Sequence, residues 1–330
     1  DPKPQIELTG STMETDALLR LLAVVSINDA SQAIVRQGLL EVPEIAFALW
    51  LGWTGERIRV TERAMQAEQL LLDVTVDREA VGIPRSLMEC ATSAYMYFTY
   101  MVHEKKHDMK AYLNRCFAKT LDESELIVPE LPTQRITRAK PKMIIPLERF
   151  VSGHAMHRCY AEYIAWLRDE FETIALVNAK DIDEQSGAIF DRIIQKETNW
   201  NMQDVVNIVS MESPDIIYYP SIGMNTWVIM MSNIRLAPVQ VMTFGHPATS
   251  TSPEIDYAFQ AGSKHLEGAE AHCTEQLLFG PVIEASEPWS AFIPNVRATD
   301  LPVKAPFEKE SATRTVAINA KIMKLNAVFL

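Results

Sequence analysis

One stretch of this chain constrains its fold more than any other. Ile216-Ile217-Tyr218-Tyr219 runs into Pro220-Ser221-Ile222-Gly223-Met224, then Thr226 to Ile234, then Val239 to Thr243, then Gly245-His246-Pro247-Ala248-Thr249-Ser250. It reads as strand, glycine-bearing loop, helix, strand, glycine-bearing loop. Apolar strands alternating with helices imply βαβ units and a parallel sheet. Two polar loops then follow two apolar strands at their carboxyl ends, the edge where open parallel sheets bind ligands.

The alternation extends upstream. Met143 to Leu147 reads as a buried strand, His154 to Glu170 as a helix and Thr173 to Val177 as a strand. Asp181 to Gln195 reads as a helix, Gln203 to Met211 as another, Asp215 to Tyr219 as a strand, and Ile255 to Phe259 as a further strand. Before residue 140 the period is different. Residues 14 to 118 read as almost entirely helical, with Leu18, Leu19, Leu21, Leu22, Val25 and Ile27 opening an apolar face. Ala64, Ala67, Leu70, Leu71 and Val74 continue it at helical spacing. Between the two halves, Pro129, Pro132, Arg135, Arg138, Lys140 and Pro141 mark a linker. Arg314 to Asn319 reads as the first strand of a new α/β unit, and Lys321 to Leu330 as the helix after it.

Composition narrows the function classes. A net charge of −12 argues against broad binding to nucleic acid or to an anionic membrane. No apolar run of spanning length is present. Asp1-Pro2-Lys3-Pro4 has neither a Met nor an apolar signal region, so it reads as neither a signal peptide nor the native start. Cys90, Cys116, Cys159 and Cys273 are scattered, which suits reduced thiols in a cytoplasmic protein better than a disulfide framework or a zinc site.

Four segments carry candidate chemistry. In Ser152-Gly153-His154-Ala155-Met156-His157-Arg158, His154 and Arg158 share one helix face at a helix start. A neutral His there can accept a proton or hold a hydroxyl, and Arg158 can grip a phosphate or a carbonyl. On spacing alone, a capping His with a surface Arg is the plainer reading, and His157 reads as structural. Ser221 and Gly223 sit in a turn where Gly allows close ligand approach, though a plain βα turn fits as well. His246 and the hydroxyls from Thr249 to Ser252 share one loop, suited to a sugar, a phosphate or a peptide or equally to a Ser/Thr-rich turn. Lys324 opens the last helix, where it can neutralise a phosphate or simply be solvated.

Taken together, S-G-H-A-M-H-R, Y-Y-P-S-I-G-M, S-N-I-R-L-A-P-V-Q, G-H-P-A-T-S and M-K-L-N resemble the bacterial cytoplasmic N-glucosyltransferases that modify adhesins. These belong to glycosyltransferase family 41, related to O-linked N-acetylglucosamine transferase. The resemblance runs in order from about residue 143 to the end. It implies a GT-B architecture of Rossmann-like α/β domains behind an all-α domain. The all-α domain would span residues 1–138, the acceptor-side domain 139–312, and a truncated donor-side domain would start at 313–330. It also implies inverting transfer of glucose or another hexose from a UDP-sugar, without a metal or other cofactor, to Asn in Asn-X-Ser/Thr of a polypeptide. An O-linked transferase of the same family, or a helical scaffold with a degenerate transferase domain, is the alternative. His154 and Arg158 match the family's essential His and Arg, His246 its G-H-P-A-T histidine, and Lys324 its diphosphate-contacting Lys. Ser221 and Gly223 would lie near the nucleotide. Lys321 departs from the pattern, standing where a small hydroxyl residue is expected.

Overall fold

In a computed structural model of the chain, residues 25–29, 32–41, 43–56, 61–73, 79–101, 103, 105–132, 136–197, 200–246, 248–260 and 268–279 are described. The expected strand from Arg314, the helix from Lys321 and Lys324 itself lie outside these residues.

The described part of the first third is helical, as its period implies. Helices α1 (Gln32–Glu41), α2 (Pro43–Thr54), α3 (Glu62–Asp73), α4 (Met88–Tyr97) and α5 (Lys106–Glu123) follow one another. Pro43 starts α2, the position where its missing N–H is not needed. Thr61 caps α3 by accepting from the Ala64 N–H at 3.1 Å. In α5, Met109, Leu113, Cys116 and Phe117 form one buried stripe at helical spacing. Trp50 of α2 joins the helices by packing against Phe98 at 5.4 Å and edge-on against Tyr112 at 5.3 Å.

The linker is tied down. Arg138 donates to the Ser213 carbonyl and to Asp215, and Asp215 also accepts from the Lys142 N–H that opens the first strand.

The rest is a parallel sheet: β1 (Lys142–Leu147), β2 (Glu172–Asn178), β3 (Arg192–Lys196), β4 (Ile216–Tyr219), β5 (Val239–Thr243), β6 (Tyr257–Gln260) and β7 (Gln276–Phe279). The spatial order is β3-β2-β1-β4-β5-β6-β7, so the chain reverses direction between β1 and β4. Helix α6 (Ala155–Leu167) and the short α7 (Glu184–Gly187) follow β1 and β2, and α8 (Met202–Glu212) and α9 (Thr226–Met231) follow β3 and β4.

Strand residues alternate between two cores. Ile144, Ile174, Ile217 and Met242 join a cluster that includes α8, α9 and the helical layer. Met143, Ile145, Ala175, Val177 and Tyr218 join the other, with Met156, Ala161 and Ile164 of α6. Burial on both faces is why the strands read as continuous apolar runs.

Two expectations fail. Asp181 to Gln195 is not one helix. Asp183 and Ser186 form a reciprocal cap on a single turn that ends at Gly187, and a strand follows. The β-branched pair Ile193-Ile194 favours that strand. Its edge position exposes Arg192 and Gln195, which gave the segment the polar spacing of a helix surface. Strand β7 was not anticipated, being short and half exposed.

Candidate functional site

In a sheet of this order, the crevice lies at the carboxyl ends of the strands that flank the reversal. Here those strands are β1 and β4, and three loops converge there. The first follows β1 and ends at His154. His154 caps α6 by accepting from the Met156 N–H through Nδ1 at 3.3 Å, an arrangement assigned from the hydrogen bonding. Its ring is half buried. The Arg158 side chain is exposed and donates to the Gly153 carbonyl at 2.6 Å, bracing the turn that leads into His154. His157 is buried edge-on against Phe150 at 5.3 Å, inside the core.

The second loop follows β4. Its polar groups turn inward to Glu148, at the end of β1. Oε2 of Glu148 accepts from the Ser221 hydroxyl at 2.7 Å, and Oε1 from the N–H groups of Gly223, Met224 and Asn225 at 2.8, 2.7 and 2.9 Å. Ser221 and Gly223, expected near a nucleotide, thus spend these donors on an internal carboxylate. Burial lifts the Glu148 carboxyl to about 7, against the pull of its four donors. Gly223 has φ +148°, and a Cβ there would stand 2.9 Å from Cδ2 of His246.

The third loop follows β5 and contains His246. The Pro220 carbonyl of the second loop accepts from the Gly245 N–H and from the Thr243 hydroxyl, both at 3.1 Å. At Gly245 a Cβ would meet that carbonyl oxygen at 2.4 Å and Cε of Met156 at 2.5 Å. The start of α6, the second loop and the third are therefore in direct contact. The hydroxyls of Thr249, Ser250 and Ser252 are buried and satisfied within the chain. Glu275, just before β7, accepts from the Thr249 hydroxyl and the Ser250 N–H, each at 2.7 Å, and from the Ser250 hydroxyl. Ser252 donates to the Ser232 carbonyl at 2.6 Å. These groups build the loop rather than line an open surface.

The helical layer reaches the same loop. Tyr95 donates to the Ser250 carbonyl at 2.5 Å, and Asn114 to the Thr251 carbonyl at 3.0 Å. Asn114 and Asn233 exchange amide hydrogen bonds at 2.8 Å. Thr251 sits at φ +59°, a strained conformation for a β-branched residue.

His246 is 2% exposed, and its Nε2 has no hydrogen-bond partner among the described residues. Burial, with a smaller push from Lys110, holds its pKa well below that of an ordinary histidine, so the ring is neutral. Lys110 of α5 is fully buried. Its Nζ lies 4.2 Å from the centre of the Tyr95 ring, without a hydrogen-bond partner among the described residues. Burial lowers its pKa to about 7, while Glu275 and Glu148 act in the opposite direction.

Among the described residues no group of three or more His, Cys, Asp or Glu is placed to hold a metal, and no helix is long and apolar enough to cross a membrane. A groove of about 660 Å³ lies at the opposite edge of the sheet between the linker and the amino ends of β4 and β5. Pro129, Leu131, Phe171, Pro214 and Pro238 make it mainly apolar, and its Asp215 is already paired with Arg138. At the carboxyl edge, the hollow beside Glu148 is only about 10 Å³, near the size of one water.

Glu148, Glu275 and Lys110 escaped the reading of the sequence. Lys110 was detectable, since it shares the apolar stripe of α5 with Leu113 and Phe117. Glu148 was detectable as a charge ending a buried strand. Glu275 carries no local signal.

No family model matches the chain. Two curated relatives do match: the UDP-glucose:protein N-β-glucosyltransferases of Actinobacillus pleuropneumoniae serotype 5b (strain L20) and serotype 7 (strain AP76). They are 28% and 29% identical over 243 residues, in each case 72% of this chain and 37% of the relative. The chain thus spans well under half the length of the relatives it matches. They bear out the resemblance drawn from the motifs. A mutant O-GlcNAc transferase of Thermobaculum terrenum aligns at a TM-score of 0.46 with 16% identity, over 80% of this chain and 53% of that one.

Proposed function

We propose that this chain forms the helical and acceptor-side parts of a UDP-sugar-dependent protein glycosyltransferase of GT-B architecture. The observation that carries this reading is the meeting of three motif-bearing loops at the carboxyl edge of the sheet, joined through the Pro220 carbonyl and Met156. The similarity to protein N-glucosyltransferases supports it. In this reading the all-α domain spans residues 1–138, the acceptor-side domain 139–312, and residues 313–330 open the donor side.

The reaction is inverting, metal-independent transfer of glucose or another hexose to the side-chain nitrogen of Asn in Asn-X-Ser/Thr. An amide nitrogen is a poor nucleophile, so the enzyme must hold and polarise it. His154, fixed by its cap, serves as the base or hydroxyl holder, Arg158 orients the acceptor, and the buried His246 supports the loop beside them. Ser221 and Gly223 shape the loop between them. The backbone donors of that loop are filled by Glu148, which favours placing the UDP diphosphate elsewhere. Lys324 is the group for it, stabilising the charge of the leaving nucleotide.

The test uses a protein carrying this chain together with the remaining length of its relatives. With UDP-glucose and an Asn-X-Ser peptide, mass spectrometry should find one hexose on Asn. His154→Ala should abolish the product without changing the far-UV circular dichroism, and wild-type turnover in that variant would remove His154 from the mechanism. Lys324→Ala should weaken UDP binding by about 10- to 100-fold, the loss of a charge-assisted contact, and uridine binding much less. Equal weakening of both ligands would end the donor-site assignment.

A further inference from the structure

Glu148 accepts four hydrogen bonds from one short segment, three of them from consecutive backbone N–H groups on a single oxygen. Consecutive N–H groups turned to one point make a nest for an anion. In this chain the anion is a side chain from the neighbouring strand. The nest holds Gly223 at φ +148°, which brings its backbone against the His246 ring with no room for a Cβ. The opposing charge comes from the helical layer. Lys110 is fully buried and has no hydrogen-bond partner among the described residues, yet it lies within electrostatic reach of Glu148 and Glu275. An ammonium group buried in that way is tolerable only where carboxylates offset its charge.

We propose that Glu148 is an internal anion that fills the nest of the loop after β4 and thereby positions the His246 imidazole, with Lys110 of the helical layer as a buried counter-charge that it shares with Glu275. Glu148 and Lys110 are positioning residues, and the proposal does not depend on which reaction His246 serves.

The test is to vacate the nest in the full protein. Glu148→Ala should lower Tm, and formate, a carboxylate small enough for the space the side chain leaves, should restore about 2–4 °C of it in a saturable way, with chloride at equal ionic strength as the control. Formate should also return the His246 ring NMR signals toward their wild-type positions, and it should leave wild-type Tm and signals unchanged. An equal formate response in both proteins, or none in either, would overturn the proposal.

Should Glu148→Ala fail to fold, Glu148→Gln keeps the shape and removes the charge. Lys110→Met should then lower Tm by less in the Glu148→Gln background, where only Glu275 is left uncompensated, than in the wild-type background. An equal loss in both backgrounds would show that Lys110 is not a counter-charge of Glu148.

Discussion

The loops after β4 and β5 are each organised by one buried carboxylate, and they differ in what that carboxylate receives. Glu148 takes three backbone N–H groups and one hydroxyl. Glu275 takes two hydroxyls and one N–H. Hydroxyls rotate and can find other acceptors, whereas backbone N–H groups in a fixed turn cannot. The loop after β5 also has outside support, from Tyr95 and Asn114 of the helical layer. The loop after β4 therefore depends on its carboxylate, and the loop after β5 shares its anchorage among several groups.

The largest expected effect sets the two carboxylates against each other. Glu148→Ala leaves a fixed nest unfilled and Lys110 less compensated, and should lose about 3–5 kcal/mol in denaturant unfolding. Glu275→Ala should lose less, about 1–3 kcal/mol, because its hydroxyl donors can turn elsewhere. A greater loss at Glu275 would reverse the comparison.

Next is the contact between the loops. Gly223→Ala must place a Cβ 2.9 Å from His246 at a φ that L residues rarely adopt. A loss of about 1–3 kcal/mol is expected, together with a displaced His246 ring in a crystal structure. A neutral substitution would mean that the ring is not seated on the loop after β4.

The smallest effect is one of pH. The folded pKa of His246 lies below its unfolded value of 6.5. Below pH 6.5 the unfolded chain then binds a proton that the native protein refuses. The stability from the neutral ring is complete above pH 6.5 and is lost as pH falls, by about 1 kcal/mol per unit. His246→Gln should flatten this slope. An unchanged slope would place the titration elsewhere, and an NMR titration of the ring checks the direction independently.

Much of the fold was legible because hydrophobic period is local. Val239–Thr243 matches its expected bounds, and Ile216–Tyr219 and Thr226–Met231 agree with theirs apart from their ends. The segment from Asp181 to Gln195 misled because an edge strand with charged ends shows the polar spacing of a helix surface. The site was less legible. The hydroxyls of the His246 loop suggested an open binding surface, yet Thr249, Ser250 and Ser252 are buried against partners far away in the chain.

By itself the sequence determined the alternation of strands and helices, the glycine positions of the two loops and the motif order that links this chain to protein N-glucosyltransferases. Each of these is written in neighbouring residues. Only the tertiary structure decided that Glu148 fills the loop after β4, that Glu275 builds the loop after β5, and that a lysine of the helical layer is buried within electrostatic reach of both. A buried charge is settled by groups remote in sequence. Gly223 meets Glu148 across 75 residues, and no local pattern encodes that meeting.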